Sequence, residues 1–308
     1  MSLRSDLAQE AERLGFVACG VATLDPNTHG QLFDAWLAKG YGGTMRYLNR
    51  QAKKRKRPAE IVPGAVRAVV VLENYYLEDP PAHSRQVRIA RYARGRDYHR
   101  HFRARIDQLG AWLTTRGATI AHSYADSGPV PERELAVRAG LGWIGKNAML
   151  LRPGVGSFFF IGSLLTDLPL EPDPPFATDH CGSCTRCLEA CPTDAFAEPG
   201  VLDANKCIAY LTIEYKAEIP EPLVDQLAGW AFGCDICNEV CPWNVRFATP
   251  TDDPAYQDRG AIATDDPAFF ERMDEAEFTA RFGDTPLERP GLVRMRRNYA
   301  NAFRSISS

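Results

Sequence analysis

Eight cysteines between residues 181 and 241 carry the strongest chemical signal in the chain. Cys181, Cys184, Cys187 and Cys191, followed by Pro192, are spaced C-x2-C-x2-C-x3-C-P. Two-residue loops let three thiolates grip one face of an iron–sulfur cubane. In two-cluster proteins with this spacing the fourth cysteine serves the other cluster. A stretched copy follows in Cys207, then Cys234, Cys237 and Cys241 with Pro242, and 26 residues (208–233) separate its first two cysteines. The crossed rule assigns Cys181, Cys184, Cys187 and Cys241 to one [4Fe–4S] cluster, and Cys191, Cys207, Cys234 and Cys237 to a second. Two four-thiolate zinc sites are the bland alternative. They lack the closing x3-C-P spacing and usually show paired C-x2-C knuckles. The ninth cysteine, Cys19, has no partner near it in sequence and reads as a small buried apolar residue.

A relay of two clusters needs something to reduce, and about 170 residues precede the module. A flavin, a corrinoid or a bound substrate would each serve. No G-x-G-x-x-G opens a βαβ unit, which argues against a dinucleotide site. Neither Asp97-Tyr98-His99-Arg100-His101 nor Asp25-Pro26-Asn27-Thr28-His29-Gly30 matches the D-x-H-x-x-G string that supplies a histidine to cobalamin. Asp126, in Ala125-Asp126-Ser127-Gly128-Pro129-Val130-Pro131-Glu132, is the leading acid–base candidate. It ends a predicted strand, where a half-buried carboxyl can deliver a proton near neutral pH. A turn-capping aspartate reads equally well. Gly140, Gly142 and Gly145 around Trp143, with Gly154 and Gly156 beyond, either admit a large flat ligand or only shape turns. Lys53-Lys54-Arg55-Lys56-Arg57 and the arginines at 88, 91, 94, 96, 100, 103 and 105 form two basic stretches. Arg294, Arg296 and Arg297 would extend them. Charge alone leaves a solvated face and a phosphate-binding surface equally open.

The elements that must position these groups follow from periodicity. Leu3, Leu7, Ala11 and Leu14 predict a helix over 2–14. Strands are predicted at 16–21, 66–72, 118–124, 148–151 and 157–165. A long helix starts at Asp97 with Phe102, Ile106, Leu109 and Leu113 inward, and another begins at Pro131. This is an α+β domain over 1–170. Pro169, Pro172, Pro174 and Pro175 mark a linker. A ferredoxin-like two-cluster domain then spans 171–248, and 249–308 reads as a polar helical segment with little core of its own. The net charge of −3 among 308 residues excludes a nucleic-acid-coating tail. The opening residues carry no apolar run or twin arginine, and no window suits a membrane span. A cytoplasmic protein is expected, where nine cysteines bind metal rather than form disulfides.

Taken together, these residues resemble the epoxyqueuosine reductases, cobalamin-dependent enzymes that complete queuosine in tRNA. The resemblance runs through Ala90–His99, the Asp126 segment, Gly142–Asn147, Gly162–Asp167, Cys207–Lys216 and Gly233–Asn238. It implies a nitroreductase-like, corrinoid-binding N-terminal fold and a base-off cobalamin without a histidine on cobalt. Asp126 matches the family's proton donor. Arg57, Tyr98, Asn147 and Ser157 are implied for the corrin pocket. Ala209, Cys234 and Asp235 are implied beside the corrin, and Glu214 and Lys216 toward the tRNA. The implied reaction is a two-electron removal of the epoxide oxygen. It draws on clusters whose potentials fall within about −700 to +450 mV and on an external low-potential donor, in a monomer with no membrane partner. Gly291–Asn298 resembles the start of one HEAT-like repeat, which cannot stack alone and is expected to pack on the core. A corrinoid reductive dehalogenase and a non-catalytic two-cluster relay are the alternatives.

Overall fold

The computed structural model describes residues 2–79, 87–258, 266 and 268–307. Parts of the predicted C-terminal helical segment (259–265, 267 and 308) lie outside the described residues. The fold is α+β. Ser2 caps the first helix, Leu3–Arg13, through its side chain, and Leu7 and Ala11 bury one face. Four strands form the main sheet: β1 (Ala18–Thr23), β2 (Arg67–Asn74), β3 (Ala121–Ala125) and β4 (Phe159–Thr166). Their order is β1-β2-β4-β3, every neighbour antiparallel. β2 lies inside the sheet, and its Ala68–Leu72 run is buried throughout. This explains why its sequence reads as continuous β-branched residues rather than alternating ones.

Asp97 accepts a hydrogen bond from the His99 N–H and starts the helix Tyr98–Thr114. Phe102, Ile106, Leu109 and Leu113 bury its inner face against the sheet. Gly162 of β4 makes this close approach possible, because a Cβ there would meet Ile106 Cδ1 at 2.3 Å and Phe102 Cζ at 2.7 Å. The short helix Glu132–Arg138 covers the other face with Leu135 and Ala136.

Residues 168–185 form no regular element. The Asp173 carboxylate ties this linker back, accepting from Arg4 and from the Val21 N–H. The cluster module is built of short pieces, with helices Arg186–Glu189, Ile208–Ile213, Ile236–Glu239 and Pro242–Phe247 among them. It is woven into the first half of the chain. Strand Arg88–Ile89 pairs in parallel with Trp230–Phe232.

The expectation of a nearly coreless C-terminal segment is wrong. Phe270, Met273, Phe278, Phe282, Leu287, Leu292, Met295 and Tyr299 bury themselves with Ile89 and Phe232. Their helical spacing places them on one face of Glu275–Phe282 and of Gly291–Ser307, while the opposite faces supply the charge that makes the stretch look polar. Helix Gly291–Ser307 packs on the core. Phe282→Ala is expected to lower stability by about 3–5 kcal/mol, read as a shift in the urea midpoint at unchanged slope. A shift worth under about 1 kcal/mol would show that this cluster contributes little.

Candidate active site and cluster centres

Cys181, Cys184, Cys187 and Cys241 line one cavity of about 230 Å³, together with Asn147, Leu151, His180 and Trp243. Burial raises the Cys187 thiol, and Cys241, Cys181 and Cys184 add to the rise. The other four thiols meet one another in the same way: Cys207 senses Cys191, Cys234 senses Cys207 and Cys191, and Cys237 senses Cys234 and Cys207. The cavity thus brings Cys241 of the second motif beside Cys181, Cys184 and Cys187 of the first, while Cys237 also feels Cys187 across the two groups.

Cys241 and Cys207 stand at the N-terminal ends of the helices Pro242–Phe247 and Ile208–Ile213. Burial raises both thiols, and the backbone of the first helical turn partly opposes the rise. Lys146 Nζ fixes the first loop by donating to Gly182 O at 2.6 Å and Cys184 O at 3.0 Å. Trp143 Nε1 donates to Cys181 Sγ at 3.5 Å. Gly145 lies against Leu151 and Cys181, and Gly156 against Asn244. Both glycine-rich stretches thus allow close backbone packing around the cluster module. Cys19 is a free, half-buried thiol whose pKa burial pushes up to about 12.

A second site opens where β3 ends. Asp126 has φ 50°, a left-handed conformation that aspartate tolerates better than most residues. Its carboxylate accepts from Tyr98 Oη at 2.5 Å, and its N–H donates to Glu132 Oε1 at 2.8 Å. Its side chain remains 67% exposed. Pro131, not Asp126, precedes the next helix, and no side chain caps that end. The capping reading of Asp126 is therefore replaced by one in which the carboxyl faces outward.

Tyr98 forms a buried floor, stacked on Phe160 at 4.2 Å. Burial and the Asp126 charge hold its phenol well above the usual range. Burial first, then Asp126, also pushes Glu132 above the ordinary carboxylate range. Arg55 Nη2 donates to Gly128 O at 3.0 Å, while its Nε is buried and without a partner. Tyr47, Glu214 and Arg289 share the field of this site: the Tyr47 phenol is raised by burial, then by Glu214 and Asp126. Glu214 and Arg289 are ion-paired at 2.6 Å. Half-buried Tyr92 meets Tyr98 at 6.0 Å and packs against Gly233 and Cys234; desolvation first, then the Asp126 and Asp235 charges, raise its phenol.

The remaining expected residues take varied places. Arg57 ends the helix Arg46–Lys56, exposed and paired with Glu60 at 3.1 Å. Asn147 and Ser157 are buried in a network with Asn238 and Asn244, which joins the first domain to the cluster module. Asp235 is buried and accepts from Arg91 N at 2.8 Å and Nη1 at 3.2 Å. Ala209 is half-buried one turn before Glu214, and Lys216 is exposed. Most of the second basic stretch is neutralised internally. Arg88 pairs with Glu239, Arg91 with Asp79, Asp235 and Glu239, and Arg105 with Glu73 and Asp253. Arg294, Arg296 and Arg297 donate to backbone carbonyls, stapling the last helix in place. Helix Arg46–Lys56 keeps Arg46, Arg50, Lys53 and Lys54 exposed. Sequence reading missed Tyr47, Arg55, Tyr92, Glu132 and Arg289. Glu132 lies six residues beyond Asp126 in the same segment, Arg55 in the first basic run and Tyr92 in the Ala90–His99 stretch, whereas Tyr47 and Arg289 sit in no motif.

Two family models match the chain: "Epoxyqueuosine reductase QueG, DUF1730" over residues 55–127, and "4Fe-4S double cluster binding domain" over 180–244. The epoxyqueuosine reductase of Pseudomonas aeruginosa is 40% identical over 304 residues, covering 97% of this chain and 84% of that protein. The one from Xanthomonas campestris pv. campestris is 42% identical over 301 residues, with 96% and 83% covered. A crystal structure of epoxyqueuosine reductase with a tRNA-Tyr epoxyqueuosine-modified tRNA stem loop superposes with a TM-score of 0.87 at 30% identity, covering 99% of this chain and 81% of that one. The Bacillus subtilis enzyme, solved with its catalytic loop swung out of the active site, has a TM-score of 0.87 at 28% identity, with 99% and 82% covered.

Proposed function

Because the chain belongs to the epoxyqueuosine reductase family, a family of oxidoreductases, we propose that it reduces the epoxide of epoxyqueuosine in tRNA to queuosine, with Asp126 as proton donor. Two [4Fe–4S] clusters on the crossed cysteine sets feed the electrons. The observation that carries this reading is the placement of Tyr92. Its half-buried ring meets Tyr98, the residue that holds the Asp126 carboxylate, at 6.0 Å and packs on the other side against Gly233 and Cys234, so the acid and the second cluster motif border one space.

The residues facing that space fit a base-off cobalamin. His99 is engaged by carboxylates at both ring nitrogens, Nδ1 with Asp97 at 2.7 Å and Nε2 with Asp126 at 3.8 Å, and so does not stand free as a metal ligand. The polar rim of Tyr47 and Arg55, with its unpartnered Nε, suits a ligand bordered by amides. Tyr98, Ala209 and Cys234 would border the corrin and Arg57 would stand at its rim. Asn147, Ser157 and Asp235 would hold the wall from behind. When bound, cobalamin supplies a strongly reducing cobalt next to the epoxide.

The protein's own part is proton delivery and positioning. Asp126 protonates the departing oxygen, so that it leaves as hydroxyl rather than alkoxide. Tyr98 holds that carboxyl by one short hydrogen bond from a rigid floor. The Glu214–Arg289 pair and Lys216 border the approach of the modified base. The exposed cations of helix Arg46–Lys56 meet RNA phosphates, an attraction that weakens with salt. The protein acts as a monomer in the cytoplasm and takes its electrons from an external low-potential donor. No helix of the described residues is long and apolar enough to cross a membrane.

Anaerobic reconstitution with iron, sulfide and cobalamin, followed by mass analysis of an epoxyqueuosine-bearing stem loop, tests the reading. Loss of one oxygen atom from the modified base is expected only when both cofactors are present. Equal turnover without cobalamin, or refusal to bind it, would overturn the corrin assignment.

A further inference from the structure

The two cysteine sets lie at different depths. Cys181, Cys184 and Cys187 are half-buried on a loop whose Gly182, Ser183, Thr185 and Arg186 are exposed, and with Cys241 they line a cavity of about 230 Å³. The other set is wrapped by the fold. Cys234 stands between buried Gly233 and Asp235, Cys237 precedes buried Asn238, and Cys207 and Cys234 pack with Ile208, Tyr210 and Trp230. Tyr92 carries this packing on toward Tyr98 and the Asp126 turn. The set around Cys181 is the outer one, and the set around Cys234 stands between it and the proposed corrin site.

The surface beside the outer set is aromatic and apolar. Buried Trp143 stacks on Phe176 at 5.8 Å and meets Trp243 at 5.0 Å, and exposed His180 lies 5.6 Å from Trp243. Phe176 and Trp243 are only half-buried. Pro242 lines the cavity, and Val245, one turn along the same side of the helix Pro242–Phe247, is 73% exposed. The exposed charges that flank these residues in sequence are of both signs, Arg186 and Arg246 against Asp179 and Glu189. Apolar patches with polar rims mark interaction sites, and the encounters of redox proteins are small and weak.

We propose that this face, from His180 and Trp243 to Val245, is the docking site of a small one-electron carrier protein that presents its own redox group to the outer cluster. The role rests on the reading of the crossed cysteine sets as two clusters fed by an external donor. Each encounter oxidises one carrier by one electron, so two carriers are oxidised for each epoxide reduced. The two C–O bonds of the epoxide break, an alkene forms, and the oxygen leaves as water with two protons that enter from solvent, Asp126 delivering the first. Because the flanking charges balance, apolar contact rather than long-range attraction holds the carrier, and a charge of either sign placed at Val245 weakens it.

The test uses the protein loaded with both cofactors, a flavodoxin and a ferredoxin as carriers, and the methyl viologen radical as a reductant too small to need a docking face. Oxidised carrier should slow amide exchange several-fold across 180–187 and 242–247 and leave 121–131 unchanged. Val245→Glu and Val245→Arg should each raise the Kd for the carrier about 10-fold, as charging the centre of a small interface does. Their iron content should match wild type and their viologen-driven turnover should stay within about twofold of it. Val293→Glu is the control, because Val293 is as exposed, at 71%, but lies on the helix Gly291–Ser307. It should bind carrier as wild type does. Carrier protection that misses both segments, Val245 variants that bind as wild type, or a wild-type protein that neither carrier binds would each overturn the proposal. Any of these beside intact viologen-driven turnover removes the docking face alone. Loss of viologen-driven turnover in the loaded wild-type protein would instead remove the reading beneath it.

Discussion

Asp126→Asn is expected to lower kcat for epoxide reduction by about 10²- to 10⁴-fold, the range for a positioned general acid, and to leave KM for the stem loop nearly unchanged. Asparagine keeps an oxygen for Tyr98 Oη and a backbone N–H for Glu132, so the turn described above should persist. Only the proton is removed. The measurement is single-turnover kinetics with excess reductant, after the spectrum of each cluster has been shown to match wild type. Wild-type rates would show that the leaving oxygen takes its proton elsewhere. A rise in KM with kcat unchanged would make Asp126 a binding residue only.

The second large effect concerns the crossed cysteines. Cys241→Ala should destroy the cluster held by Cys181, Cys184 and Cys187, even though Cys241 stands in the second motif. Cys191→Ala should destroy the other. Each change should halve the iron content and, by cutting the electron path, reduce reductant-driven turnover by about 10³-fold or more, on the order of removing an indispensable catalytic group. Pairs of changes show which cluster is lost. Cys241→Ala with Cys184→Ala removes no more iron than either alone, because both belong to the cavity lined by Cys181, Cys184, Cys187 and Cys241. Cys241→Ala with Cys234→Ala should remove nearly all of it. If the first pair empties the protein and the second leaves half, the sets are uncrossed.

The cysteine sets were legible because cluster ligation is written in short spacings, and the long helix was legible because Asp97 and four inward residues repeat at helical intervals. The predicted strands begin or end within a few residues of β1 to β4, displaced mainly where a flanking residue pairs outside the ladder, as Val17 and Val66 do. Long-range pairing is what local periodicity cannot carry. Arg88–Ile89 and Trp230–Phe232 are too short to signal strands, and each exists because the other is present. The same blindness applies to charge. Asp79, Asp235 and Glu239 neutralise Arg91 from positions far along the chain, so the second basic stretch looked like a surface while Arg91 is buried. Within the site, Asp126 was visible from its place at a strand end. Arg289 and Tyr47 were not, since each reaches the site from a separate element and neither sits in a motif.

Ligands shared in the proposed crossed manner would also order how the protein is made. A ribosome releases Cys181, Cys184, Cys187 and Cys191 well before Cys234, Cys237 and Cys241. An emerging chain can offer three ligands to one cubane and, after Cys207, two to the other. Neither centre reaches four until the last few residues of the module have left the exit tunnel. Metal insertion is thereby deferred to a nearly finished polypeptide, whose strand Trp230–Phe232 has by then met Arg88–Ile89. A nascent chain stalled before residue 234 would hold no complete cluster.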